Sequence, residues 1–137
     1  MPWIQNVSRN AIKTGQHKDP GENSLMIQII DPAAFFPEPK YKFKEIHQFE
    51  FLDAEQDDDF DKEFKITPGQ ADQLVKILKH ALNNNMNVIV HCNAGLCRSG
   101  SICEIGVMMG FEDTGVQRTP NLLVKHTMMD VLGWLYD

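Results

Sequence analysis

Cysteine is scarce. There are three in 137 residues, an odd number with no pairing framework, which excludes a small disulfide-stapled scaffold. Long apolar runs are missing as well. None approaches the roughly 20 residues that cross a bilayer as a helix. The opening Met1-Pro2-Trp3-Ile4-Gln5-Asn6 has neither the basic start nor the apolar stretch of a signal peptide. The expectation is a reduced, cytoplasmic protein with no membrane partner. Basic charge is in deficit, with 13 Lys and Arg against 19 Asp and Glu and a formal net charge of −6. That argues against broad affinity for nucleic acid or anionic membranes but leaves room for a local positive pocket. Aromatic residues make up 9% and are scattered, so no base-stacking platform is expected. His17, His47, His80 and His126 stand at no metal-ligand spacing, and a Walker-type glycine loop is absent. Neither a metal centre nor a cofactor is expected.

What is present is an ordinary core. Hydrophobic residues reach 42% and charged residues 23%, as in globular domains, and the length suits one domain over 1–137. Residues 3–7 form a short candidate strand. A loop with room for a short helix runs to Asn23, punctuated by Gly15 and Asp19-Pro20-Gly21. Residues 24–31 are nearly continuously apolar, the pattern of a strand covered on both faces and hence of a parallel or mixed sheet. Asp31-Pro32 stops it. Residues 41–52 are the next strand candidate, with Phe49 and Phe51 on one face. Asp53 follows, and then the acidic run Glu55, Asp57, Asp58, Asp59 and Asp61, which reads mainly as a solvated loop.

Thr67-Pro68-Gly69-Gln70 predicts a capped helix start. Ala71, Leu74, Val75, Leu78, Ala81 and Leu82 then make one buried stripe. Asn83-Asn84-Asn85 ends the helix, and residues 87–92 form a strand. Residues 99–109 read as a helix that is apolar nearly all round, with Gly106 open to close packing and Cys103 in the core. From Gly110 to Arg118 the chain reads as polar loop. Thr119-Pro120 starts a last helix with Val124, Met128, Val131, Leu132 and Leu135 inside. The fold class is α/β, a central and mostly parallel sheet of about four strands flanked by helices.

The chemistry is concentrated in Val88-Ile89-Val90-His91-Cys92-Asn93-Ala94-Gly95-Leu96-Cys97-Arg98-Ser99-Gly100. An apolar strand runs into a tight loop that opens a helix, and such loops converge backbone N–H groups on an anion. Asn93, Ala94, Gly95, Leu96 and Cys97 contribute mainly those N–H groups. Gly95 permits loop conformations that a side chain would block. Arg98 adds a planar fork that suits two phosphate oxygens and that lysine lacks. Cys92, beside both a helix N-terminus and a cation, is placed to act as a thiolate nucleophile.

His91-Cys92-x-x-Gly95-x-x-Arg98-Ser99 resembles the signature of the protein tyrosine phosphatase superfamily, in particular its small dual-specificity-like and bacterial or phage-type members. The order of elements is similar over roughly residues 24 to 110. The resemblance implies hydrolysis of phosphomonoesters through a cysteinyl-phosphate, with phosphotyrosine and also phosphoserine or phosphothreonine as substrates. It makes Ser99 the hydroxyl that helps the sulfur leave, although helix N-capping would also suit Ser99, and His91 a residue that orders the loop. It also requires an aspartate upstream to protonate the leaving group. Asp53 is the leading candidate, with Asp57, Asp58 and Asp59 in competition. The expected partner is a phosphorylated protein or a small phosphomonoester. The alternatives are a non-protein substrate (an RNA 5′ end, a phosphoinositide or a metabolite) and an inactive phosphate-binding module. Cys97 before Arg98 is shared with the low-molecular-weight tyrosine phosphatases, which implies a reversible Cys92–Cys97 disulfide under peroxide. Simple packing under the loop is the alternative.

Overall fold

Two strands rich in β-branched residues, Ser24–Ile30 and Asn87–Cys92, lie side by side near the middle of the sheet. All seven residues of the first are buried. A strand with no exposed face has to be covered by chain on both sides, and that requirement dictates the layered architecture. The computed structural model describes residues 1–54 and 64–134. In chain order the elements are β1 (Trp3–Ser8), α1 (Arg9–Thr14), β2 (Ser24–Ile30), β3 (Glu45–Glu50), α2 (Pro68–Asn83), β4 (Asn87–Cys92), α3 (Arg98–Met109), β5 (Glu112–Asp113) and α4 (Leu122–Leu132). The sheet order is β3-β2-β4-β1-β5, and every described pair is parallel.

Alternation along the strands divides the core. Ile4, Leu25, Ile27, Ile29, Val88, Val90 and Cys92 face one side, where α2, α3 and α4 supply Leu74, Leu78, Ile102, Ile105, Val124 and Met128. Trp3, Met26 and Ile89 face the other side, where Ile12 of α1 and Phe43 cover them. α2 has the capping box read from its sequence. Thr67 Oγ1 accepts from Gln70 N, and Gln70 Oε1 accepts from Thr67 N. Its buried residues are Ala71, Leu74, Val75, Leu78 and Ala81, and Leu82 packs partly buried against them. Gly106 packs on Ile4, whose Cδ1 would stand 2.7 Å from an added Cβ.

Three expectations are corrected. Among the described residues the sheet has five strands, not about four, because Glu112–Asp113 adds β5 where polar loop was expected. Two exposed acidic residues carry no strand pattern. β3 is Glu45–Glu50, shorter than 41–52. The last helix begins at Leu122 and not at Thr119-Pro120, because the Asn121 side chain accepts from Val124 N and caps it there. Leu135 lies outside the described residues. Among the described residues no helix is long and apolar enough to cross a membrane.

Candidate functional site

Because the strands are parallel, their carboxyl ends share one edge of the sheet, the place where open α/β folds collect ligands. β4 delivers Cys92 there, and α3 leaves from the same point with Arg98 as its first residue. Between them the loop 93–97 is held by its carbonyls. Arg9 N donates to Asn93 O at 3.1 Å, the Asn6 side-chain amide to Gly95 O at 2.7 Å, Thr119 N to Leu96 O at 3.0 Å and Asn121 N to Cys97 O at 3.1 Å. In a trans peptide the N–H points opposite to the C=O, and the described chain has no cis peptide. Four carbonyls drawn into the body therefore turn the following N–H groups the other way. Those of Ala94, Leu96 and Arg98 make no hydrogen bond among the described residues. Gly95 is obligatory to this arrangement. Its φ is +78°, and a Cβ would lie 2.5 Å from Ser8 N and from the Val7 carbonyl carbon.

The loop encloses one side of a cavity of about 410 Å³, whose wall includes Asp31, Asp53, Cys92, Asn93, Ala94 and Arg98. Cys92 is 2% exposed, and its Sγ is hydrogen-bonded to Ser99 Oγ at 3.1 Å. Ser99 lies inside α3 and not at its N-cap, which is Cys97 without a side-chain cap bond. The capping reading of Ser99 is thus replaced by a sulfur contact. None of Cys92, Cys97 and Cys103 is in a disulfide.

Arg98 is 4% exposed, and one edge of its fork is occupied. Nη1 donates to Asp31 Oδ1 at 2.7 Å and to the Phe51 carbonyl at 2.8 Å. Its buried Nε has no partner among the described residues. A guanidinium clamped on one side keeps a fixed plane and leaves donors for a second anion.

Asp53 is on the cavity wall, and Asn121 holds it there. The Asn121 amide donates to Asp53 Oδ1 at 2.6 Å and to Ala54 O at 3.1 Å, while its carbonyl caps α4 through Val124 N at 3.0 Å. Nothing in the residues adjacent to the fully buried Asn121 marks it for this role. Asp57, Asp58 and Asp59 lie outside the described residues.

His91 is fully buried behind the loop. Its Nδ1 is 3.3 Å from the Cys92 carbonyl, which can only accept, so Nδ1 is the donor. Burial, with the nearby charges of Arg9 and Arg98, pushes its pKa down to about 4. Between pH 6.5 and 4 the unfolded chain binds a proton that the native ring refuses. Stability contributed by His91 is therefore complete above about pH 6.5 and is lost as pH falls toward 4, by about 3 kcal/mol across the window. Urea unfolding at pH 7 and pH 4.5 measures it, and His91→Gln is expected to flatten that part of the slope. An unchanged slope in the variant would assign the loss to other groups.

Cys103 is a contrasting thiol. Burial pushes it up to about 12, consistent with a core residue. No group of His, Cys, Asp and Glu among the described residues is arranged to hold a metal ion. Neither the known protein-family models nor the curated proteins contain a match to this sequence.

Proposed function

We propose that this chain is a cysteine-dependent phosphatase of phosphomonoesters, acting on phosphotyrosine and also on phosphoserine or phosphothreonine. The observation that carries the reading is the orientation of the loop. Its carbonyls are drawn into the body by Arg9, Asn6, Thr119 and Asn121, and the opposed N–H groups and Arg98 are left to an anion beside Cys92. Donors fixed before the reaction cost little reorganisation as charge develops, which is the usual main source of rate enhancement.

The chemistry follows from the positions. The Cys92 thiolate attacks phosphorus in line, the P–O bond to the leaving group breaks, and Asp53 gives that oxygen its proton. The cysteinyl-phosphate is then hydrolysed by water. Asp53 takes the proton from that water, and Ser99 hydrogen-bonds the sulfur as it leaves as thiolate. Arg98 spans two non-bridging oxygens in both transition states. No step calls for a metal or cofactor.

The test compares an aryl phosphate, whose leaving group needs little help, with an alkyl phosphate, which needs a proton. With chelator present, wild type should turn over both. Asp53→Asn is expected to lose about 10²-fold on the alkyl ester and much less on the aryl one. Equal losses on both would remove Asp53 as the acid. Turnover that depends on added divalent metal would overturn the mechanism.

A further inference from the structure

We propose that Arg9 forms a second subsite beside the loop, taking the carboxylate of an acidic residue that neighbours the phosphorylated residue in a protein substrate. This rests on the phosphatase reading and narrows its substrate class. A second cavity of about 100 Å³ is lined by Arg9, Asp31, Ala34 and Asn93 over a floor of Ile29 and Ile30. It shares Asp31 and Asn93 with the larger cavity, so the two are neighbours. The Arg9 backbone is tied to the first loop residue through Asn93 O. Its guanidinium has no hydrogen bond or ion pair among the described residues, whereas Arg98 and Arg118 both have carboxylate partners.

Part of the same lining, Asp31 and Ala34, belongs to a turn under strain. Ala34 N donates to Asp31 O at 3.1 Å, and Ala33 within the turn has φ +68°. Alanine pays about 1 kcal/mol for that left-handed conformation, and such positions persist where the surroundings hold them, often at ligand clamps. Here the turn fixes Asp31 and Ala34 against the cavity that Arg9 lines.

The charges select a monoanion. Arg9 offers one cation without a described partner, and Asp31 in the same lining is already paired with Arg98. A carboxylate on Arg9 balances the subsite, whereas a second phosphate dianion would leave excess negative charge beside Asp31. The net charge of −6 repels acidic peptides at a distance. A preference for them must therefore be local.

The experiment uses phosphotyrosyl peptides that differ only in Glu or Gln at the residues flanking the phosphotyrosine, at about 0.15 M salt. Wild type is expected to favour Glu about fivefold in kcat/KM, mainly through KM. Arg9→Gln should bring the ratio to about one, and Arg9→Lys should keep part of it. A wild-type ratio of one, or the same ratio in Arg9→Gln, overturns the subsite. An Arg9-dependent preference for a doubly phosphorylated peptide over the Glu peptide overturns its assignment to a carboxylate. Binding of the same peptides to Cys92→Ser, read by fluorescence anisotropy, separates the two readings. Arg9-dependent discrimination in binding without any wild-type turnover sinks the phosphatase and keeps the subsite. Turnover without charge discrimination does the reverse.

Discussion

Cys92→Ser is expected to reduce turnover by about 10⁴-fold or more, while the loop continues to bind inorganic phosphate. The magnitude follows from removing the nucleophile of the proposed covalent mechanism, which would disable the machinery as a unit. A serine hydroxyl at neutral pH is a far weaker nucleophile than a thiolate, and among the described residues no base is hydrogen-bonded to the Cys92 side chain to activate it. The only side-chain partner described for Sγ is the Ser99 hydroxyl. His91, the nearest imidazole in sequence, is fully buried, and its Nδ1 donates to a backbone carbonyl and not to the sulfur. Binding should survive, because the cradle is made by backbone N–H groups and Arg98. Oxygen also fits where sulfur was without opening a cavity. Phosphate binding by calorimetry and turnover of an aryl phosphate measure the two properties separately. Cys103→Ala is the control, since that thiol packs in the core. Residual activity of Cys92→Ser within tenfold of wild type would exclude a cysteinyl-phosphate.

Much of the frame was legible because it depends on local patterns. The capping box at Thr67, the stripe of α2 and the doubly covered β2 are signals written in adjacent residues, and each appears where the periodicity placed it. The strand-loop-helix context of Cys92 was legible for the same reason. What escaped was set by contacts between distant segments. β5 exists because Glu112 and Asp113 pair with Trp3 and Ile4, and nothing in two acidic residues announces that. The partners of the loop carbonyls, Asn6, Arg9, Thr119 and Asn121, are spread over more than a hundred positions. Asn121 shows the limit most sharply. Its amide joins α4, the backbone at Ala54 and the Asp53 carboxylate, a bridge across 68 residues that leaves only a helix-cap signature in the sequence. Asp31 was read as a strand terminator, and it is also the anion that clamps Arg98.

That clamp makes Arg98→Lys the second large loss, about 10³-fold in kcat. Charge is conserved, so the loss isolates geometry. The guanidinium does two things at once. Nη1 holds Asp31 and the Phe51 carbonyl, and the same residue lines the cavity. An ammonium has three donors around one nitrogen and cannot reach both directions in one plane. Settled on Asp31 and Phe51 O, it abandons the phosphate. Turned to the phosphate, it leaves a buried carbonyl unpaired only two residues before Asp53, and the acid loses a support of its own segment. Both outcomes lower kcat, and the first also raises KM. Asp31→Asn sorts out the contribution of the clamp. It removes the competing charge but keeps an oxygen that can accept from Nη1, so its loss should stay within about tenfold. Combined with Arg98→Lys, it should cost little more than the lysine alone, because both changes weaken the same ion pair. Steady-state kinetics on the four proteins of this cycle measure the coupling. If the losses simply multiply, Asp31 and Arg98 act independently, and the one-sided clamp is not what orients the fork.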